Sequence, residues 1–177
     1  MRNVALLRGI NLGATNRVSM SHLRELVGGL GYKDVETLVQ SGNVVFSSDD
    51  PADVAAERIE KALRKETGLD VPVIGRSGRE LAAVVKHSPF AARIDDPRFH
   101  HVVFLERTPA AGLAEAVDRE RYLPETFVVE GRDVYVLYPN GAGRAKLTHA
   151  FWEKRLGVQA TARNWNTVQR LADMTAA

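Results

Sequence analysis

Residues 34–48, "DVETLVQSGNVVFSS", contain two short apolar segments separated by a turn sequence. Each segment is rich in β-branched or aromatic residues, which is typical of strands. The Ser41-Gly42-Asn43 sequence between them has residue types that tolerate the positive φ angles of tight hairpin turns. The stretch therefore predicts a β-hairpin with strands over residues 34–40 and 43–48.

Helical patterns lie on both sides of this hairpin. Before it, Ser19 is placed as an N-cap, and apolar residues recur at helical spacing over residues 20–30, with a glycine after the last of them. After it, Asp50 is predicted to cap a second helix, with Pro51 in the first helical position. Outside the helices, "NVALLR" at residues 3–8 and "LDVPVIG" at residues 69–75 predict two further strands.

The resulting order is strand, helix, strand, strand, helix, strand, which is the ferredoxin-like, or split βαβ, unit. The second half of the sequence repeats it. The predicted elements there are a strand at 99–106, a helix at 108–120 capped by Thr108, a hairpin at 125–139 turning at Gly131, a helix at 143–157, a strand at 158–163 and an extra helix at 164–174.

The sequence therefore predicts an α+β fold with two ferredoxin-like (βαββαβ) subdomains and antiparallel sheets. The expected boundaries are residues 1–77 for the first subdomain, 78–97 for a helical connector, and 98–177 for the second subdomain with its appended C-terminal helix.

This topology brings polar residues from distant segments to one edge of each sheet. The first and second strands of a split βαβ unit are parallel, so the first strand ends beside the hairpin turn. In the second half, the segment after the third strand lies beside the end of the fourth. The candidate ligand-binding residues are Arg8, Gly9, Asn11, Ser41, Gly42 and Asn43 in the first half, and Lys146, Arg163, Asn164 and Asn166 in the second.

Arginine, lysine, amide side chains and the N–H groups of a helix start all favour anions. We expect the two edges to form one basic, amide-rich cleft between the subdomains that binds a small anion such as a nucleotide or a phosphorylated metabolite. Two alternatives remain open: nucleic-acid binding along the basic edge, and a structural or oligomerisation module without a ligand. The same residues also have plain structural interpretations, since glycines form turns and Asn164 or Asn166 can cap the last helix.

The composition restricts the kinds of site that the protein can contain. The net charge of +2 is mildly basic, and the 177 residues include no cysteine, which excludes disulfides, thiolate nucleophiles and cysteine-ligated metals. None of the five histidines has a recognised metal spacing, so no protein-bound metal is expected. No pattern identifies a catalytic group, a cofactor or an oligomeric state. No apolar run suits a signal peptide or a membrane span, which predicts a cytoplasmic protein with no membrane partner.

Three stretches carry a resemblance to a known family: "LLRGINLG", "VSMSHLRELVGGLGYKDVETLVQSGNVVFSS" and "TARNWNTVQRL". They resemble the bacterial family called domain of unknown function 1697, over nearly the whole chain. The resemblance implies two ferredoxin-like halves and no established activity. It implies motif positions at the ten residues given above and at Trp165 and Thr167. Leu12 and Ala162 depart from the residues that many members carry, and neither belongs to the polar set.

Overall fold

The structure is a computed structural model, and it describes residues 1–93 and 95–176. The strands are β1 (Arg2–Leu7), β2 (Lys33–Leu38), β3 (Asn43–Ser47), β4 (Val73–Ser77), β5 (His100–Leu105), β6 (Thr126–Glu130), β7 (Asp133–Leu137) and β8 (Ala160–Asn164). The helices are α1 (Met20–Gly29), α2 (Ala52–Thr67), α3 (Gly78–Lys86), α4 (His149–Leu156) and α5 (Trp165–Thr175). In the described part of the chain, no helix has both the length and the apolar character needed to cross a membrane.

The chain forms two compact units. Unit 1 comprises Met1–Ala83 and Arg170–Ala177, and unit 2 comprises Val84–Gln169. Unit 1 contains a sheet with strand order β2-β3-β1-β4, and unit 2 contains a sheet with order β6-β7-β5-β8. All neighbouring strands in both sheets are antiparallel. These are the strand orders of the split βαβ unit, so the predicted α+β fold with two antiparallel sheets is confirmed.

The core of unit 1 lies on one face of its sheet. Alternate residues of β1 and β3 point to that face because strand side chains alternate, and α1 and α2 cover it. Leu23 of α1 and Ile59 of α2 have no exposed surface, and burying such a side chain contributes roughly 1.5–3 kcal/mol. The two helices are therefore held to the sheet mainly by apolar burial.

The start of α1 matches its sequence signal. The Ser19 hydroxyl oxygen accepts a hydrogen bond from the His22 N–H at 3.1 Å, so the predicted N-cap is confirmed. Gly31, with φ +90°, follows the helix at the position where a left-handed residue ends many helices.

The predicted cap of α2 is wrong. Pro51 holds the N-cap position without a side-chain hydrogen bond. The Asp50 carboxylate instead accepts hydrogen bonds from the Tyr32 hydroxyl at 2.8 Å and the Arg58 guanidinium at 2.6 Å, which lower the pKa of Asp50. Burial and the hydrogen bond to Asp50 raise the pKa of Tyr32 to about 12. These hydrogen bonds occupy the Asp50 carboxylate, so it does not cap the start of α2.

The predicted helix at residues 108–120 is also wrong. This segment forms successive turns and a short 3-10 helix at Glu120–Tyr122. Gly112 lies in the left-handed region at φ +86°, a conformation that α-helices of L-residues do not continue. The Ala116 N–H donates to the Gly112 carbonyl at 3.1 Å, forming an isolated helical turn. Val117 is still buried, so the apolar residues that suggested a helix serve the core of unit 2 without one.

Candidate functional site

Asn11 joins two loops at one edge of the unit 1 sheet. Its side-chain amide donates to the carbonyls of Val18 at 2.9 Å and Gln40 at 2.8 Å, and its side-chain oxygen accepts from the Val18 N–H at 2.9 Å. The residue has φ +55°, which asparagine tolerates better than most L-residues. Each bond contributes about 1 kcal/mol. Asn11 therefore ties the β1–α1 loop to the β2–β3 turn in one arrangement.

The β2–β3 turn is packed tightly against the end of β1. The Leu7 N–H donates to the Gly42 carbonyl at 2.8 Å. A Cβ atom on Gly42 would lie 2.8 Å from both Leu7 Cβ and Ile10 Cδ1, and its φ is +84°, so both space and conformation require glycine here. Asn43 is fully buried, and its amide donates to the Leu38 carbonyl at 2.8 Å and the Ser41 hydroxyl at 3.1 Å.

Arg8 and Gly9 complete this loop cluster. The Arg8 N–H donates to the Pro72 carbonyl at 2.9 Å, and the Arg8 residue is half-buried. The Gly9 carbonyl accepts from the Asn16 side chain at 3.4 Å. The structure thus brings the first-half candidates to one sheet edge within unit 1: Arg8, Gly9, Asn11, Ser41, Gly42 and Asn43.

A cavity of about 540 Å³ opens beside Asn11, and we call it the loop cavity. Its lining consists of Asn11, Gly13, Arg17, Val18, Ser19, Met20 and Gln40. Arg17 is the charged residue of this lining and is exposed. Sequence reasoning missed Arg17 and Gln40. The available signal for Arg17 was its place two residues before the Ser19 cap, beside the positive end of a helix.

In unit 2, Arg163 lies in β8 and is 7% exposed. Its guanidinium donates to the Thr161 hydroxyl at 2.7 Å and to the Ala162 carbonyl at 2.9 Å. Burial lowers the pKa of Arg163 to about 10. The side chain remains a cation at neutral pH.

Lys146 lies in the segment between β7 and α4 of unit 2 and is exposed, whereas Arg163 is buried in β8. The N–H groups of Lys146 and the adjacent Leu147 donate to the Glu125 carboxylate, each at 2.9 Å. Leu147 packs in the core cluster on the α4 side, as does Ala162. Because strand side chains alternate, Arg163 points to the opposite face from Ala162.

The remaining second-half candidates lie at the start of α5. The Asn164 side-chain oxygen accepts from the Thr167 N–H at 3.0 Å, which is the helix-capping role left open by the sequence. Asn166 is exposed in the first turn of α5. Asn164 therefore already has a structural task, whereas the Asn166 side chain faces solvent.

A fully buried histidine, His100, lies in an aromatic cage in unit 2. Its ring stacks on Trp165 with 4.5 Å between centroids and meets the edge of Phe90 at 5.7 Å. Its Nδ1 lies 3.1 Å from the Val136 carbonyl oxygen, so Nδ1 carries the proton, and Nε2 accepts from the Ser88 hydroxyl at 3.2 Å. Burial lowers the pKa of His100, so the ring is neutral at neutral pH.

Because His100 is buried, we expect the free energy of unfolding to decrease at acid pH. As pH falls below the unfolded-state pKa of about 6.5, the unfolded chain takes up a proton before folded His100 does, so the free energy of unfolding decreases. Urea unfolding between pH 7.5 and 5.5 should show this decrease, and His100→Gln should make it shallower. Burial also lowers the pKa of His101, so His101 accounts for part of the slope that remains. The control His87→Gln alters an exposed residue and should leave the slope unchanged; an unchanged slope in His100→Gln would contradict the prediction.

The sheets do not offer aromatic rings for base stacking. Phe46 has no exposed surface, and Tyr135 and Tyr138 are each 2% exposed. RNA-binding domains of this topology stack bases on exposed aromatics of their central strands.

Within residues 1–93 and 95–176, no group of three or more histidine and carboxylate side chains is placed to hold a metal ion.

Comparison with known proteins places the chain in a family. The model of the family described as "Protein of unknown function (DUF1697)" matches residues 1–135. The chain belongs to the DUF1697 family. The fold of this DUF1697 protein is similar to that of the conserved bacterial protein SP0830 from Streptococcus pneumoniae, with a TM-score of 0.74, 22% sequence identity and 98% of each chain covered. No curated protein matches the sequence. The family and the fold are thereby shown.

Proposed function

We propose that this DUF1697 protein binds a small anion, such as a nucleotide or a phosphorylated metabolite, in the loop cavity of unit 1. The observation that carries the proposal is the lining of that cavity, in which Arg17 is accompanied by the Gln40 amide and, among the described residues, by no carboxylate. A volume of about 540 Å³ lies within the range of small-molecule sites, roughly 300–1,000 Å³. A cytoplasmic location, expected from the sequence, is part of the same proposal.

Electrostatics at the start of α1 favour the same ligand charge. Ser19 and Met20, at the beginning of this ten-residue helix, line the cavity. The N-terminus of a helix carries a partial positive charge of roughly half a unit. Arg17 adds a full charge on a side chain whose planar donor groups suit carboxylate and phosphate oxygens. The two effects act in one place, so an anion is favoured over a cation or a neutral ligand.

In this proposal, the predicted site residues that are buried or half-buried in unit 1 hold the loops in place. Asn11, Gly42 and Asn43 hold the loops through hydrogen bonds within unit 1. Preformed loops lose little conformational freedom when a ligand binds, which favours affinity. Of the second-half set, Lys146 and Asn166 are exposed, and they are included in the test as separate variants.

Isothermal titration with adenosine 5′-monophosphate and inorganic phosphate tests the proposal. We expect binding in the wild type and a loss of roughly 10- to 100-fold in affinity in Arg17→Ala, since hydrogen bonds to a charged group contribute about 1.5–3 kcal/mol. The matched control is Lys61→Ala, which removes one positive charge from an exposed position of α2. It should bind as the wild type does.

Four outcomes would count against this site. If neither adenosine 5′-monophosphate nor inorganic phosphate binds, the proposal is overturned. Equal weakening in Arg17→Ala and Lys61→Ala would show only general charge attraction. A loss confined to Lys146→Ala or Asn166→Ala would move the site to unit 2. Affinity for RNA or DNA probes that falls steeply with salt, and that exceeds affinity for the monophosphate, would favour nucleic-acid binding instead.

A further inference from the structure

The strand β6 lies at one edge of the unit 2 sheet, and its sequence suits pairing with another strand. The strand order leaves one side of β6 without a neighbouring strand in the described part of the chain. Its residues, Thr126–Glu130 (TFVVE), are β-branched or aromatic except for the last, and include no proline, glycine or lysine. Edge strands of this composition pair readily with another chain unless something covers them. The edge strand β2 of unit 1 differs, since its register is irregular between the exposed, charged residues Lys33 and Glu36.

The hairpin register shows which backbone groups of β6 face away from β7. Glu130 lies opposite Asp133 across a two-residue turn, so these two residues form the hydrogen-bonded pair next to the turn. Bonded pairs alternate along an antiparallel ladder, so Val128 also bonds to β7, whereas the N–H and C=O groups of Phe127 and Val129 point outward. β6 thus presents a row of outward donors and acceptors at these two residues.

Arg119 covers part of this outward row. Its guanidinium donates a hydrogen bond to the Phe127 carbonyl at 2.5 Å, and its Cζ lies 4.2 Å from the centroid of the Phe127 ring. This bond agrees with the outward direction of the Phe127 carbonyl. Arg119 is exposed and lies outside the strands, just before the 3-10 helix at Glu120–Tyr122. Its side chain can therefore leave the edge without breaking the pairing of β6 with β7.

We propose that β6 is a pairing edge for a second copy of this chain, and that Arg119 is a blocking contact that restricts this pairing. When two β6 strands meet antiparallel, Phe127 lies opposite Val129 of the second copy, and each residue finds both a donor and an acceptor there. The arrangement is self-complementary, as a two-fold dimer requires. While Arg119 holds the Phe127 carbonyl, that acceptor is not available to the second copy. The pairing does not involve the loop cavity, so it is independent of anion binding.

Analytical ultracentrifugation of Arg119→Ala tests the blocking contact. We expect the variant to self-associate at least roughly tenfold more tightly than the wild type, because the Phe127 carbonyl loses its charged donor. Arg119 is exposed, so circular dichroism should show a folded variant. The matched control is Arg121→Ala, which removes the same charge from another exposed position and should associate as the wild type does.

A disulfide tests whether β6 forms the contact. The chain has no cysteine, so Val128→Cys introduces a single thiol. In the proposed register, residue 128 lies opposite its own copy in a non-hydrogen-bonded pair, where Cα atoms are roughly 4.5 Å apart and a disulfide can form. Under oxidation, Arg119→Ala/Val128→Cys should become a covalent dimer faster than Val128→Cys alone. The control Arg119→Ala/Val54→Cys places the thiol at a 44% exposed position of α2 and should remain uncross-linked.

Each contrary result overturns the proposal in a different way. If Arg119→Ala associates no more tightly than the wild type, Arg119 does not restrict pairing. If Arg121→Ala associates as tightly as Arg119→Ala, the effect is one of net charge. If the thiol at residue 128 cross-links no faster than the thiol at residue 54, another surface forms the dimer. Absence of cross-linking through residue 128 in both the wild-type and the Arg119→Ala background would show that β6 is not a pairing edge.

Discussion

Gly75→Ala is expected to destabilise the protein by about 3 kcal/mol, because a methyl group at this position of β4 has no room. A Cβ atom on Gly75 would lie 2.2 Å from the Ala52 carbonyl oxygen and 3.0 Å from the Asp53 nitrogen. Both are backbone atoms at the start of α2, so a side-chain rotation does not relieve the overlap. The helix must move away from a sheet against which Ile59 and Leu63 are fully buried. Urea unfolding followed by circular dichroism measures the loss.

The control for this prediction is Gly28→Ala in α1. Apart from its chain neighbours and the backbone of α1 itself, no atom of the described residues lies within 4 Å of a Cβ at Gly28, and alanine is favoured over glycine in a helix by roughly 0.5–1 kcal/mol. The same substitution should therefore stabilise the protein at Gly28 and destabilise it at Gly75. A Gly75→Ala protein with wild-type stability would show that α2 does not approach β4 as closely as described.

Trp152→Ala is expected to destabilise unit 2 by about 3–5 kcal/mol, the usual cost of emptying a large aromatic site. Trp152 of α4 has no exposed surface. Its ring lies 4.8 Å from Phe127 and 5.0 Å from Phe151, with both contacts edge to face. Truncation removes these contacts and leaves a cavity between α4 and the sheet. Urea unfolding, read by the fluorescence of the remaining Trp165 and by circular dichroism, measures the effect.

Trp152→Phe should cost far less, about 1 kcal/mol or less. Within the described residues the buried Trp152 indole N–H has no hydrogen-bond partner, and leaving such a group unsatisfied costs roughly 1–3 kcal/mol. Phenylalanine loses some packing volume but removes this unsatisfied donor, so the two effects oppose each other. Equal destabilisation by Trp152→Phe and Trp152→Ala would indicate that volume alone governs this site.

Much of the fold was predictable from local patterns. The hairpin around Gly42, the cap at Ser19 and the glycine after α1 are encoded by residue types whose backbone preferences act over a few positions. The repeated order of elements then restricted each half to very few strand arrangements. The segment at 108–120 was mispredicted because its apolar residues have helical spacing, while Gly112 adopts a conformation that ends a helix. Asp50 was mispredicted because Tyr32 and Arg58 compete for its carboxylate.

The sequence by itself determined the two antiparallel sheets and the edge at which Arg8, Asn11 and Gly42 meet, because hydrophobic period, turn residues and strand direction are local or topological properties. Only the tertiary structure decided which side chains line the loop cavity and which are buried or hydrogen-bonded elsewhere. Arg17 and Gln40 border the cavity, Asn43 and Arg163 are buried, and Asn164 caps α5. These outcomes depend on which strand face a residue occupies and on hydrogen-bond partners far away in the chain, and both are set only when the elements pack together.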